Sequence, residues 1–442
     1  MATKLVNLNA AGIDISSKEH VVAVPEDRAK QSVRTFPGFT RDLHQLAKWL
    51  KECKIETIAM ESTGVYWYDL YTILLDYGFE VYLEQHLAMI KNVPGRKSDV
   101  SDARWLQELH TFGLLRGSFQ PDNLTRSLRN YVRQRKNIIR QMTRETQRMQ
   151  KALEQMNIKL NNVIRDLNGK TGTKIITKIL EGERSPKILA QYRDWRIKAS
   201  EETLIKSLEG NWREEQIFNL RLACNHYHFL QNQLYQCDIE SKKTIKKMSN
   251  TSSTKKVNKI QKSKNNPNFN VSQYLYQALG VEVTKIYGIK EITALTIFSE
   301  TGINLKEKFP TEKQFLSWLN VVPNNKITGG KVISSRVRRK KNKAGQAFRD
   351  AASALWKAQN PIGDYLRRKK AKSGGKQAVV ATARKLAAIY YKIVTEKVEF
   401  NPKYITKNKE DYLINKLKQL QKMKEKTENL LLDCQNVEKL VI

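Results

Sequence analysis

Within the first 85 residues, short apolar runs alternate with amphipathic stretches in an order that few architectures accommodate. Lys4 to Ile15, His20 to Pro25 and Gln31 to Phe36 read as strands. A helix follows, opening at a Thr40 cap and carrying Leu43, Leu46 and Leu50 on one face. Glu56 to Met60 forms the next strand, Val65 to Tyr77 the next helix, and Phe79 to Leu83 closes a mixed sheet. The result is an α/β order with three hairpin-linked strands first.

That order is the one of the ribonuclease H type of nuclease fold. Charge sets the same region apart. Residues 1–120 hold 14 Lys plus Arg against 15 Asp plus Glu, and the remainder holds 65 against 29, within a net charge of +35. A nearly neutral region with carboxylates in short motifs suits cations, and a strongly basic remainder grips phosphates, which together point to catalysis on nucleic acid. Other classes are excluded. At 442 residues, about three domains are expected. Apolar runs such as Val21 to Val24 fall far short of the roughly 18 residues that span a bilayer, and Met1 to Ala10 lacks the features of a secretion signal, so the expected compartment is the cytoplasm. Cys53, Cys224, Cys237 and Cys434 form no CxxC pair, which argues against a disulfide framework. Cys224, His226, His228 and Cys237 read as an ordinary amphipathic helix rather than a zinc site, because His226 points away from the i, i+4 pair.

From Asn123 the pattern changes to long helix. Ile138, Met142, Met149, Met156 and Val163 recur with Leu128, Leu153, Leu160 and Leu167 at three-and-four spacing, a coiled-coil seam that serves either an arm within one chain or a dimerisation stalk. Five segments result: a catalytic domain over 1–120, a helical coiled-coil region over 121–250, a flexible basic linker over 251–272, a mainly α domain over 273–398 and a basic helical tail over 399–442. Val283 to Glu300 reads either as helix, tight turn at Gly288 and helix, a shape whose turn amides can face a DNA phosphate, or as a plain helical turn.

Two groups of residues suit chemistry on phosphodiesters. Asp14 and Glu61 end strands, and Asp99 and Asp102 lie one helical turn apart at a helix start, so four carboxylates can converge. Such a set binds two Mg²⁺ about 3.5–4 Å apart and supports in-line phosphoryl displacement. In the basic part, Thr328 stands beside Gly329 and Gly330. Lys326, Lys331, Arg336, Arg338, Arg339, Lys340, Lys341 and Lys343 surround it, a nucleic-acid-binding run in which a hydroxyl could attack phosphorus or a loop could merely dock phosphates.

GIDIS at 12–16, MESTGVYW at 60–67 and PGRKSDVSDARWLQELHTFGLL at 94–115 resemble the three blocks of the DEDD-type transposases of the IS110 insertion-sequence family, which includes Piv-type DNA invertases. KASEETLIKSLEGNWREEQIFNLR and FPTEKQFLSWLNVVPNNKITGGK extend the resemblance to about Lys397. It implies a RuvC-like N-terminal domain in which Asp14, Glu61, Asp99 and Asp102 bind Mg²⁺, and a C-terminal transposase domain whose Ser-Gly-Gly-Lys type motif supplies the nucleophile. It also implies a structured bridge RNA that pairs with donor and target DNA, and homodimers that pair into a homotetramer, with the acidic site of one subunit facing the hydroxyl of another. Here the motif reads Ile327, Thr328, Gly329, Gly330, Lys331, with threonine in the serine position. The extra methyl restricts χ1 and crowds the approach to phosphorus, and Ser334 and Ser335 lie close by. The expected activity is RNA-guided excision and insertion of an insertion sequence through a covalent protein–DNA intermediate. The alternatives are a catalytically impaired nucleic-acid-binding relic and a metal-dependent junction resolvase.

Overall fold

The computed structural model describes residues 5–61, 64–84, 98–115, 117–249, 256–257, 265–338 and 342–402, with positions 417–418, 420–421, 423–425, 427–429 and 431. They fall into two compact units, Met1–Gln120 and Pro121–Ile442.

The first unit runs β1 (Ala10–Ile15), β2 (Glu19–Ala23), β3 (Val33–Pro37), α1 (Thr40–Glu52), β4 (Thr57–Glu61), α2 (Trp67–Asp76), β5 (Glu80–Glu84) and α3 (Asp99–Thr111). Its sheet has the order β3-β2-β1-β4-β5, with β1 antiparallel to β2, β2 antiparallel to β3, and β1, β4 and β5 mutually parallel. This is the mixed sheet expected from the alternating pattern. Two boundaries differ. Strand β1 begins at Ala10 rather than Lys4, because the amides of Val6 and Asn7 bond to the Thr111 carbonyl at the end of α3 instead of to a strand. Thr40 is the first helical residue of α1, and the extended Phe39 precedes it without a side-chain cap.

Side chains alternate across a strand, so β1 sends Ala11, Ile13 and Ile15 to one face and Gly12 and Asp14 to the other. The first set packs with Ile58, Met60, Leu43, Leu46, Leu50, Leu70 and Leu74 in a core covered by α1 and α2. Helix α3 covers the second face, where Ala103 meets Val21 and Ala23, and His110 Nε2 lies 2.8 Å from Thr57 Oγ1. Backbone meets backbone at Gly12. A methyl group there would overlap the Ala103 carbonyl oxygen and the Gln107 amide nitrogen. Gly12→Ala is therefore expected to push α3 off the sheet and to destabilise the unit by about 1–3 kcal/mol. Thermal melting checks the cost, and an unchanged melting temperature would contradict this packing.

The second unit opens with α4 (Asn123–Gln155), followed by the short helices α5 (Leu160–Val163), α6 (Lys170–Leu180), α7 (Pro186–Ala190) and α8 (Glu201–Leu208), and then α9 (Glu214–Met248). Helices α4 and α9 pack antiparallel, since Arg135 pairs with Asp238 near one end and Glu145 with His226 nearer the other. Ile138 and Met142 fill the seam with Leu230 and Leu234, so a helix of the same chain covers the heptad positions. Cys224, His226, His228 and Cys237 all lie on α9. Thr301 and Glu300 belong to a later helix that also docks here: Arg133 makes two bonds of 2.9 and 2.8 Å to the Glu300 carboxylate.

Beyond α9 come α10 (Val271–Leu279), α11 (Glu291–Thr301), α12 (Leu305–Lys308), α13 (Glu312–Trp318), β6 (Lys326–Thr328), β7 (Lys331–Ser334), α14 (Lys343–Ala354), α15 (Pro361–Ser373) and α16 (Gly375–Glu396). Phe298, Phe315, Phe348 and Tyr390 are fully buried at the centre. The stretch expected as a flexible linker is held at its described positions. Val257 is buried, Arg135 Nη2 donates to the Asn265 carbonyl at 2.7 Å, and the Asn268 amide donates to Asp238 Oδ2 at 3.0 Å. At these described positions, backbone hydrogen bonds to Arg135 and Asp238 act together with burial of Val257 and Phe269. Arg135 and Asp238 are both buried, and removing one partner strands the other charge, so Asp238→Ala is expected to cost about 3–5 kcal/mol. Denaturant unfolding measures it, and Arg135→Met combined with Asp238→Leu should recover most of the loss. Gly288 makes the expected turn (φ 82°), its backbone packing closely on Ala351 of α14 and on Leu355 just beyond that helix, and α11 follows it, but only a single 3₁₀ turn (Val283–Lys285) stands where the first helix was expected. Most of the basic tail lies outside the described residues. No described helix is long and apolar enough to cross a membrane.

Candidate active site

Strand parity builds the acidic group. Asp14 shares the α3 face with Gly12, and the parallel register pairs Gly12 with Ala59, two residues before Glu61 on the same face of β4. Asp14 and Glu61 therefore end adjacent strands side by side. Helix α3 brings the other two carboxylates. Ser98 Oγ accepts from the Ser101 amide at 3.2 Å, and Ser101 Oγ accepts from the Ser98 amide at 3.0 Å, forming a reciprocal capping box. Because serines cap this helix, Asp99 and Asp102 in its first turn are spared that role. The Asp14 carboxyl is pushed up to about 6, first by burial and then by the charges of Asp99, Asp102 and Glu61. All four carboxylates thus share one electrostatic neighbourhood.

The donor set consists of oxygen atoms under mutual repulsion, which fits a hard divalent cation. Among the described residues, no three His, Cys, Asp or Glu side chains are already drawn together as an ion would require. One carboxylate escaped the sequence reading. Glu84 pairs in register with Glu61 at the end of β5, on the face that also holds Tyr82 against His110. Alternation along Glu80 to Glu84 carried the signal, but only strand pairing shows that it lies beside Glu61.

Thr328 ends β6 and is exposed. Gly329 (φ 55°) and Gly330 (φ 74°) form the two-residue turn to β7, and positive φ at both positions is what a tight hairpin of this twist demands. Thr328 pairs with Lys331 across the turn, and Lys326 with Ser334. Ile327, Val332 and Ile333 are 61, 56 and 69% exposed, so the hairpin is not held by a core of its own. Arg336 and Arg338 follow it, also exposed; Arg339, Lys340 and Lys341 lie outside the described residues. Ser334 Oγ accepts from the Arg336 amide at 3.4 Å. Farther on, Lys343 begins α14, and burial together with Arg133, Lys136 and Arg140 of α4 pushes its ammonium down, a crowding of cations that a phosphate would relieve. A second run, Ser373-Gly374-Gly375-Lys376, spells the serine form of the motif letter for letter. The structure places it at the junction of α15 and α16 rather than on a hairpin.

A sheet of order 3-2-1-4-5 with carboxylates gathered at its strand ends defines a ribonuclease H-like nucleic-acid-processing domain, a class whose members use divalent metal ions. Residues 11–158 match a DEDD family model of IS110 described as Transposase, and residues 282–367 match the model described as Transposase IS116/IS110/IS902 family. The chain belongs to the IS110 family of DEDD transposases. Its class of activity is DNA transposition and its substrate is DNA. No curated protein matches the sequence. The second matched segment contains Thr328 and ends before Ser373.

Proposed function

We propose that this chain is an RNA-guided DNA transposase that excises and inserts an insertion sequence by strand exchange through a covalent protein–DNA intermediate. Asp14, Glu61, Asp99 and Asp102 hold Mg²⁺, and Thr328 is the nucleophile. The observation that carries the reading is the placement of Asp14 and Glu61 on adjacent strand ends beside Asp99 and Asp102 of the α3 first turn, where burial first and then the three other carboxylates hold the Asp14 carboxyl above its ordinary range. Bound Mg²⁺ supplies positive charge against the oxygens of the reacting phosphate. Thr328 Oγ forms a bond to phosphorus as the bond from phosphorus to the 3′ oxygen breaks, and the hydroxyl proton ends on that oxygen. A free 3′-hydroxyl and a threonine-linked 5′-phosphate result. Lys326, Lys331, Arg336 and Arg338, with Arg339, Lys340 and Lys341 of the same run, hold the flanking phosphates.

Guidance by a bridge RNA follows from the family resemblance, and a net charge of +35 supports holding RNA and DNA together. The working assembly is a dimer of dimers in which the carboxylates of one subunit act with the hydroxyl of another, and the α4–α9 hairpin is a coiled-coil arm within each chain. The site of action is the cytoplasm. The test incubates the chain with RNA transcribed from the element's noncoding end, labelled donor DNA and Mg²⁺. Protein-linked DNA on denaturing gels is expected, and it should disappear with EDTA or with ribonuclease. Free 5′-phosphate ends without linkage would identify a junction resolvase instead, and binding without any cleavage a catalytically impaired relic.

A further inference from the structure

At the foot of the β6–β7 hairpin the C-terminal part carries a cleft of about 590 Å³ between the chain around Val321–Val337 and helices α15 and α16. Its floor is apolar and includes Val337 and Val380, and the half-buried Tyr365 lines it. Lys385 Nζ sits 4.9 Å over the centre of the Tyr365 ring, a cation resting on an aromatic face beside the cleft. Four cations ring the opening: Arg336, Lys369, Lys376 and Arg384. Among the described residues none of the four has an ion-pair partner and no carboxylate lines the cleft.

These features discriminate between ligands. Cations alone would suit any polyanion, and an apolar floor alone would suit any greasy side chain. A flat aromatic group attached to phosphates satisfies both at once, and the size is within the usual range for small-ligand clefts. Paired bases are locked in their stack, whereas unpaired bases splay onto aromatic side chains while the backbone follows a cationic groove. We propose that this cleft takes an unpaired nucleotide of a single nucleic-acid strand, with its base on the Tyr365 ring and its phosphates on Arg336, Lys369, Lys376 and Arg384. The cleft residues Ser335 and Arg336 directly follow β7, and four residues of extended chain at about 3.3 Å each put the Thr328–Lys331 turn roughly 13 Å away. The captured nucleotide thus lies a short way along the strand from the attacked phosphate and holds it open there.

Its link to cleavage rests on the proposed function, but binding itself does not, so the measurement is made on the full chain in EDTA. Fluorescence anisotropy compares labelled single strands of DNA and of RNA, about a dozen nucleotides long, with the same sequence as duplex. Tyr365→Leu is expected to weaken single-strand binding about 5–100-fold and leave duplex binding unchanged, and Tyr365→Phe, which keeps the ring, to stay within about twofold of the parent. Lys376→Gln and Arg384→Gln should each flatten the salt dependence of single-strand binding by about 0.7 in log–log slope. Whichever of DNA and RNA shows the larger Tyr365→Leu loss is the source of the strand. Independently of any variant, a strand carrying 5-iodouracil should crosslink to the peptide containing Tyr365. Equal losses for duplex and single strand, an unaffected single strand, or crosslinks confined to other peptides would overturn the proposal.

Discussion

Replacing Asp14 with asparagine is expected to lower strand cleavage by about a thousandfold or more, to leave DNA binding nearly intact and to raise the melting temperature. Loss of activity follows from removing the carboxylate at the centre of the acidic group, where several kcal/mol of charge compensation depend on the bound ion. The gain in stability comes from the same feature. In the folded chain the Asp14 carboxyl titrates near 6 instead of 3.8, so folding favours its protonated form. Stability supplied by that preference is fully present below about pH 4 and is lost as pH rises toward 6, which leaves a penalty at neutral pH. Asparagine mimics the protonated form and carries no such penalty. Allowing for partial solvent screening, the variant should gain about 1–2 kcal/mol at pH 8 and almost nothing at pH 4. Calorimetry at the two pH values reads the difference, and Mg²⁺ should raise the melting temperature of the parent but hardly that of the variant. Retained cleavage, or a lower melting temperature at pH 8, would refute the shared acidic site.

Thr328→Ala is expected to eliminate protein-capped DNA, while Thr328→Ser should keep it and accelerate its formation. The alanine variant lacks the oxygen that would bond to phosphorus, so residual protein-linked product would have to come from Ser334, Ser335 or Ser373. The serine variant removes one methyl. Relief of the χ1 restriction and of crowding at phosphorus is of the order of 0.5–1.5 kcal/mol, or about 2–10-fold in rate. Exposure of Thr328 on a hairpin with little core means that neither change should disturb folding. Quantifying the covalent species on denaturing gels over time checks both outcomes. Unchanged product from Thr328→Ala would dismiss this hydroxyl from the reaction.

The acidic site and the hairpin differ in how much of them is written locally. GIDIS, MESTG and KSDVSD each place a carboxylate at a strand end or in a helix first turn, and strand parity then assigns the side each carboxylate faces. Glu84 was missed because its neighbour Glu61 lies 23 residues away and meets it only through parallel pairing. Tyr365, Lys369, Lys376 and Arg384 were missed for a similar reason: they reach Arg336 only after two helices fold back against the hairpin's foot.

Periodicity, turn chemistry and charge act over a few residues, and so the amino-acid order alone prescribed a mixed sheet of three strands, helix, strand, helix, strand. It also prescribed the contrast between a neutral front and a basic back, whereas the tight turn at Gly329 and Gly330 emerged only with the pairing of β6 and β7. Packing made the remaining choices. It decided that α9 covers the heptad face of α4, that Gly12 admits α3 onto the sheet, that Gly288 seats on α14, and that Glu84 lies beside Glu61. Each of these depends on which surfaces meet across long stretches of chain, and no local pattern encodes the identity of a partner that distant.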